Sequence, residues 1–475
     1  MGQKMLRTSS YLHSHEHSSG RYVVYHRFLG QARIMEPELH SQLFNYQPGA
    51  GGEAVDGEQT QEWERIGYLV PTDEDETDYV LKHYRSKSRT VLKNINFQIS
   101  NACNFRCHNC IHFEGAQLPG RQVKPVHMDA QLATRAIDWL AQDLIRKQVP
   151  DMGINFAGGE AMLNWRVIRH ILEYSSTHYG DRLRFRFSIN TNASLITAEI
   201  AKTLKDYDVQ ILTSLDGLKA ANDLNRKTVN GKSTFRQTLK GFDMLAEGDM
   251  PVRALHVTLT PLNKGHLDEE FVRFLQQRGI ISVTLEPDLT DHLHCSPEEL
   301  TQTIMAFRKL ARQYDITVTG YWERPFGNCI DTVPNTKNHF CRAMAGEAID
   351  FHTDGALHSC SYTDRHMGYL DDFIDQGPDA LIDSELFSSM VNTRRVGAIE
   401  ACQGCSLEGV CGGGCFATQV FSTARGDMSR FEYRCDFYRQ ITEALLMDAV
   451  DQVLAHHQLP VKKADTHENL VGCAS

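Results

Sequence analysis

An α/β fold, a partial (β/α)6 TIM-like barrel between a small N-terminal module and an irregular cysteine-rich C-terminal domain, is predicted by three observations on the 475-residue sequence. Six short apolar runs between residues 91 and 290 alternate with amphipathic stretches, three cysteines crowd into residues 103 to 110 directly after the first run, and five more lie between 402 and 435. Strands alternating with helices require a parallel sheet covered by helices, because a parallel connection needs a crossover.

The barrel is expected over residues 91–314. Its strands are NINFQIS, MGINFA, RFRFSI, QILTSL, ALHVTL and SVTLEP, with helices near 129–147, 165–178, 233–246 and 266–277. In the first helix Leu132, Ala136, Leu140 and Leu144 recur at helical spacing, the stripe that packs on a sheet. Functional groups of such a barrel sit at the C-terminal ends of its strands. Upstream, residues 1–20 are polar, with His13, His15 and His17 alternating, and are expected to form a flexible, solvated tail rather than a metal tract. Residues 21–90 read as a winged-helix-like module: strand-like RYVVYH and ARIM, helical PELHSQLF, the glycine-rich loop QPGAGGEAVDG, then EWERIGYLV. In residues 315–436 the alternation stops and Gly, Cys and Asp become frequent, a composition better stabilised by bound metal than by a large apolar core. An amphipathic helix over about 437–457 and a tail follow, so the last segment is 437–475, with Cys473 one place from a prenylation box.

Formal net charge is -11 and no long Lys/Arg run occurs, which removes the electrostatic basis for gripping nucleic acid. No 18 apolar residues follow one another, so no membrane span is expected, and the first residues lack the apolar core of a secretory signal. A cytoplasmic protein is the expectation, and its 13 cysteines then read as metal ligands or reactive thiols rather than disulfides.

The segment QISNACNFRCHNC spaces Cys103, Cys107 and Cys110 as C-x3-C-x2-C after a strand. Three thiolates can hold three irons of a four-iron cluster and leave the fourth open, whereas an electron-transfer cluster takes four. A zinc knuckle is the alternative, completed by His108 or His112. The loop, with Phe105 before Arg106 and Cys107, resembles that of radical S-adenosylmethionine (SAM) enzymes. The resemblance implies an open iron that chelates SAM and, on reduction, release of a 5'-deoxyadenosyl radical that abstracts hydrogen. Three further segments match in order. In INFAGGE, Gly158, Gly159 and Glu160 would receive the SAM ammonium by close backbone approach and a carboxylate. A second GGE, at 51–53, lacks the strand and reads as loop composition. In INTNASL, Asn190 and Asn192 would lie near the nucleoside, with Ala193 where the family has Gly. In TSLDGLKAANDLNR, Ser214 and Arg226 would contact the carboxylate and ribose region. For each of these polar residues the structural alternative is ordinary strand-end hydrogen bonding.

Downstream, Cys341, Cys360, Cys402, Cys405, Cys411, Cys415 and Cys435 resemble the SPASM extension, which carries two auxiliary four-iron clusters. The resemblance assigns Cys341, Cys360 and Cys415 to the first, with Cys329 as fourth ligand, and Cys402, Cys405, Cys411 and Cys435 to the second. Glycines 412–414 would bring backbone N–H groups toward a cluster. Cys295 reads as a plain thiol. Three 4Fe-4S clusters and SAM are thus the implied cofactors.

Family members of this kind modify peptides, and two branches compete. Peptide maturases crosslink side chains through carbon-carbon, ether or thioether bonds, and often dock a leader peptide by adding a strand to an N-terminal sheet. Residues 21–90 suit that role or that of a structural cap. Anaerobic sulfatase maturases generate formylglycine using an Asp where this chain has Ser361, with Tyr362 or Asp364 as substitute bases. A reducing partner such as flavodoxin or ferredoxin is implied in either case. A non-catalytic iron-sulfur electron carrier, or a zinc protein, is the reading from another class.

Overall fold

The computed structural model describes residues 5–47, 57–84, 91–110, 124–288, 295–331, 339–360, 362–363, 366–393, 397–418 and 429–457. Strand structure begins far earlier than expected. β1 (Leu6–Thr8) and β2 (Leu12–Glu16) fall inside the stretch read as a flexible tail. That reading is corrected by the histidines themselves: an every-second-residue pattern is strand periodicity. His13 and His15 stand on one face of β2, against Tyr25 of β3 (Tyr22–His26), and His17 Nε2 lies 3.1 Å from Asp451.

β2, β3 and β4 (Gly30–Met35) form an antiparallel sheet, followed by α1 (Pro37–Phe44), α2 (Gly57–Arg65), β5 (Leu69–Pro71), which pairs with β1, and α3 (Glu76–Tyr84). Both faces of the sheet are used. Val24 and Met35 join Leu6, Leu43, Trp63, Ile66, Tyr68 and Leu69 in a separate small core, while Val23, Tyr25, Ala32 and Ile34 point the other way into the main one. Tyr68 Oη ties the layers together by donating to the carbonyls of Val24 and Gln31, both at 2.7 Å.

The main sheet has seven parallel strands in sequence order: β6 (Asn94–Ser100), β7 (Asp151–Gly158), β8 (Arg184–Thr191), β9 (Gln210–Ser214), β10 (Ala254–Leu259), β11 (Ser282–Pro287) and β12 (Thr317–Thr319). The first six match the apolar runs, and β12 extends the barrel beyond residue 314. Between them lie α4 (Ala130–Arg146), α5 (Trp165–Tyr179), α6 (Ala198–Asp206), α7 (Lys219–Asn225), α8 (Phe235–Glu247), α9 (Glu269–Gln277) and α10 (Pro297–Arg312). Asp129 caps α4 by accepting from the amides of Gln131 and Leu132, and Ala136, Leu140 and Leu144 are wholly buried as their spacing requires.

α11 (Arg324–Ile330) crosses to the N-terminal module, where Gln31 Nε2 donates to Asp331 O at 2.7 Å. The chain then returns to the barrel's first strand. β13 (Ala348–Phe351) runs parallel to β6, and β14 (Ala356–His358) and β15 (His366–Tyr369) add an antiparallel edge. The last helix, α12 (Ser429–His457), starts about eight residues before the expected 437, and Phe431 in its first turn is already buried, as are Phe437, Ile441, Leu445 and Val450. Cys435 therefore sits on a helix rather than in an irregular loop. Among the described residues no helix is long and apolar enough to cross a membrane.

On most barrel strands buried apolar residues alternate with polar ones; on β9 Leu212 lies on the interior side and Thr213 is the buried residue. Ile95, Phe97, Ile154, Phe156, Phe187, Ile189, Leu255, Val257, Val283 and Leu285 pack under the helices. Their neighbours Asn96, Asn155, Ser188, Asn190, His256, Thr258, Thr284 and Glu286 face the other side, the barrel interior. The interior is thus polar, unlike the filled lumen of a complete barrel.

Candidate functional site

The first cysteine loop leaves the end of β6 and is laced to its neighbours by backbone hydrogen bonds. Gly159 N donates to Ser100 O at 2.8 Å and Glu160 N to Ala102 O at 2.9 Å. A Cβ on Gly158 would stand 2.2 Å from Ser100 O, and one on Gly159 would stand 2.4 Å from Ala102 O. These glycines therefore let the β7 end approach the cysteine loop, a reason independent of any ligand. On its other flank the loop pairs with residues 225–229: Arg106 N donates to Lys227 O at 2.6 Å, His108 N to Asn225 O at 2.7 Å, and Phe105 bridges Thr228. Burial pushes the Cys103 thiol up to about 12 and the Cys107 thiol up to about 11. The charges of Cys107 and Cys110 bear on Cys103, so the three thiols face a common space. Among the described residues no three His, Cys, Asp or Glu side chains converge closely enough to hold a single metal ion. His112 lies outside the described residues.

Glu160 is wholly buried, and burial raises its carboxyl above the ordinary range. Its Oε1 accepts from Thr191 Oγ1 at 2.7 Å and Met162 N at 3.0 Å, and its Oε2 from Asn192 N at 2.7 Å. Among the described residues no cationic side chain pairs with it. A carboxylate held by three donors and lacking a counter-ion can accept a cationic group, and this one lies beside Cys103. Asn192 Nδ2 reaches Asn104 of the cysteine loop at 2.9 Å. Ala193, the departure from the family's Gly, has φ +60° and is fully buried, with its carbonyl under α8 at Gly241. The left-handed backbone is thus kept without the glycine. Asn190 and Ser214 sit on the interior side of β8 and β9. Arg226 is bound to Asp216, Nε to Oδ2 at 2.8 Å and Nη2 to Oδ1 at 3.0 Å.

Across the interior lies a second set of polar groups that sequence reasoning missed except for Tyr362. Glu286 ends β11, accepts from Tyr321 N, and is pushed up to about 7 by burial against the opposing pull of that amide, Arg434 and Arg324. Arg324 lies 4.4 Å over the Tyr321 ring. Tyr321 and Tyr362 are 54% and 39% exposed, yet desolvation holds both phenols above their ordinary range. The Tyr321 amide bonds Glu286 and the two phenols bear on each other, so both belong to the polar barrel interior, the chamber of this site. Tyr362 feels Cys360, Asp350 and Cys110, so it lies within electrostatic reach of both cysteine regions. The strand alternation in SVTLEP is the signal that would have put Glu286 on the chamber side. Asp364 and Ser361 lie outside the described residues.

The C-terminal cysteines fall into two groups. The charges of Cys341 and Cys415 both bear on Cys360, which also receives the Tyr362 amide. Cys402, Cys405, Cys411 and Cys435 line one cavity together with Gly413, Gly414 and Cys415. Gly412, Gly413 and Gly414 take φ of +65°, +81° and +68°, which lets three successive residues turn tightly there, and Arg439 Nη1 approaches Cys405 Sγ at 3.9 Å. A polynuclear group fits this arrangement of four thiols around an open volume. Cys329 is not brought to the trio it was assigned to. It is fully buried in α11 among apolar residues, and the one thiol that bears on it is Cys411. Cys295 contacts Tyr433 Oη at 3.8 Å, apart from both groups.

A family model described as the radical SAM superfamily matches residues 97–277. The radical SAM cyclopropyl synthase TigE of Paramaledivibacter caminithermalis is 22% identical over 392 residues, 80% of this chain and 80% of that one. The cysteine-type anaerobic sulfatase-maturating enzyme of Clostridium perfringens is 21% identical over 357 residues, 72% of this chain and 93% of that one. Among solved structures, native anSMEcpe with bound AdoMet and Cp18Cys peptide aligns with a TM-score of 0.60 at 16% identity, over 76% of this chain and 99% of that chain. This last likeness is one of fold.

Proposed function

Because the chain carries a radical SAM domain and its relatives include maturases, we propose that it oxidatively crosslinks side chains of a ribosomally made peptide bound in the polar chamber. The observation that carries this reading is the position of Tyr362, which feels a cysteine of the first loop and one of the C-terminal trio at once. A substrate in that chamber would lie within reach of both. When bound, the first cluster and SAM supply a carbon-centred radical that abstracts hydrogen, and the auxiliary clusters supply a sink for the second electron.

The chain's own residues then do the rest. Cys103, Cys107 and Cys110 hold the first cluster, and Glu160 takes the SAM ammonium with the backbone at Gly158 and Gly159 close by. Asn190, Asn192 and Ser214 border the nucleoside side, and Arg226 acts from behind the cysteine loop. Glu286, poised near neutrality, is suited to take the proton released on coupling. Leader docking by strand addition fits the edge strand β2 better than β4, whose Gly30 is closed off by Asn328 O of α11.

Anaerobic reconstitution tests the proposal: about twelve irons per chain and deoxyadenosine from SAM under reduction are expected for three four-iron clusters. Mass spectrometry of a short peptide encoded beside the gene should show loss of two hydrogens. Formylglycine on a sulfatase peptide would favour the second reading, which the sulfatase-maturating relative keeps in view and Ser361 opposes.

A further inference from the structure

Asp216 has no exposed surface, and a buried carboxylate is costly unless paired. Its bidentate partner Arg226 is only 13% exposed. The pair is locked from the β10 side: Thr258 N donates to Asp216 Oδ1 at 2.9 Å and Asn263 Nδ2 to Asp216 O at 3.1 Å. Asn225 and Lys227, on either side of Arg226, pair with His108 and Arg106 on either side of Cys107, so Arg226 stands opposite Cys107 and its charge bears on that thiol. The segment bearing Arg226 is sewn to the cysteine loop by these contacts and by the Phe105 bridge, and Asp216 holds the guanidinium, so the cation's place beside the loop is fixed from both sides. A flexible surface cation would have no such fixed position.

We infer that Arg226 is a positioning residue for the first cysteine loop, a fixed cation that anchors Cys107 and raises the reduction potential of the cluster on Cys103, Cys107 and Cys110. The inference rests on the reading of those cysteines as cluster ligands. Reduction adds one negative charge to a cluster, and a cation beside its thiolate stabilises that state by Coulomb attraction in a desolvated site. Asp216 tempers the effect by neutralising part of the guanidinium charge.

The test compares the reconstituted full-length protein with R226M, R226K and D216N, following by EPR, through a reductive titration, the signal that added SAM perturbs. R226M should reduce at a lower potential than the wild type, R226K at a value between them, and D216N at a higher one. A fully iron-loaded R226M with the wild-type midpoint would overturn the inference. If R226M takes up no iron, D216N decides, and a midpoint at or below that of the wild type overturns it equally. A wild-type chain that loads no iron, or whose signal SAM leaves unchanged, refutes the cluster reading instead, so the two failures are distinct.

Discussion

Glu286 shows how much a single side chain's surroundings decide. Burial lifts its folded value from 4.5 to about 7. An acid raised on folding contributes its full stability below the unfolded value, loses it as pH climbs from 4.5 toward the folded value, and is constant above that. E286Q, which cannot ionise, should therefore gain on the wild type in thermal melts between pH 4.5 and about 7, and keep a constant lead above. Parallel pH profiles for the two proteins would contradict the raised value. At the cysteines the expectation is compositional: C107A should lose about four irons per chain and all deoxyadenosine formation, while C295A should lose neither. The cysteines and Glu160 could be read from sequence because spacing and the strand before them are local properties. Arg226 and Cys329 were named too, but not the contacts they make. Arg226 has the right identity and position, but its partners Asp216 and Cys107 are joined to it only by the fold. Cys329 was assigned by its interval to Cys341, and an interval carries no direction.

Among the elements, strands and helices of the barrel were legible because each has its own period. The early strands were missed because β1 and β2 are polar, with only three and five residues, and become strands through pairing with β5 and β3. Tertiary partners outweighed local composition. The polar interior was also present in the letters: NINFQIS alternates strictly, and so do RFRFSI and SVTLEP. Packing between elements has its own test at Gly241, where a Cβ would meet Ala193 O at 1.9 Å. G241A should push α8 off the β8 end and cost about 1–3 kcal/mol, measurable by chemical denaturation. A cost near zero would mean that the helix shifts freely.

In the whole molecule, the N-terminal module is tied to the last helix by His15 with Glu443 and His17 with Asp451, and to α11 through Gln31. The auxiliary cysteines therefore lie between two anchored bodies, and metal loading should raise the melting temperature of the entire chain in one transition rather than of its C-terminal part alone. Calorimetry of the apo and reconstituted forms distinguishes these outcomes.

The return of β13 to the side of β6 has a consequence for synthesis. Ala348 pairs with Asn94 and Phe351 with Phe97, so the barrel's opening strand waits for more than half the chain to be made before its outer edge is covered. During translation that edge is an exposed row of amides and carbonyls beside an apolar face, the kind of template on which nascent chains associate. A chain stopped after Asp331 would keep all seven sequential strands and still be expected to aggregate. Slower elongation or lower growth temperature should raise the soluble yield of the full-length protein and leave that of the shortened one low.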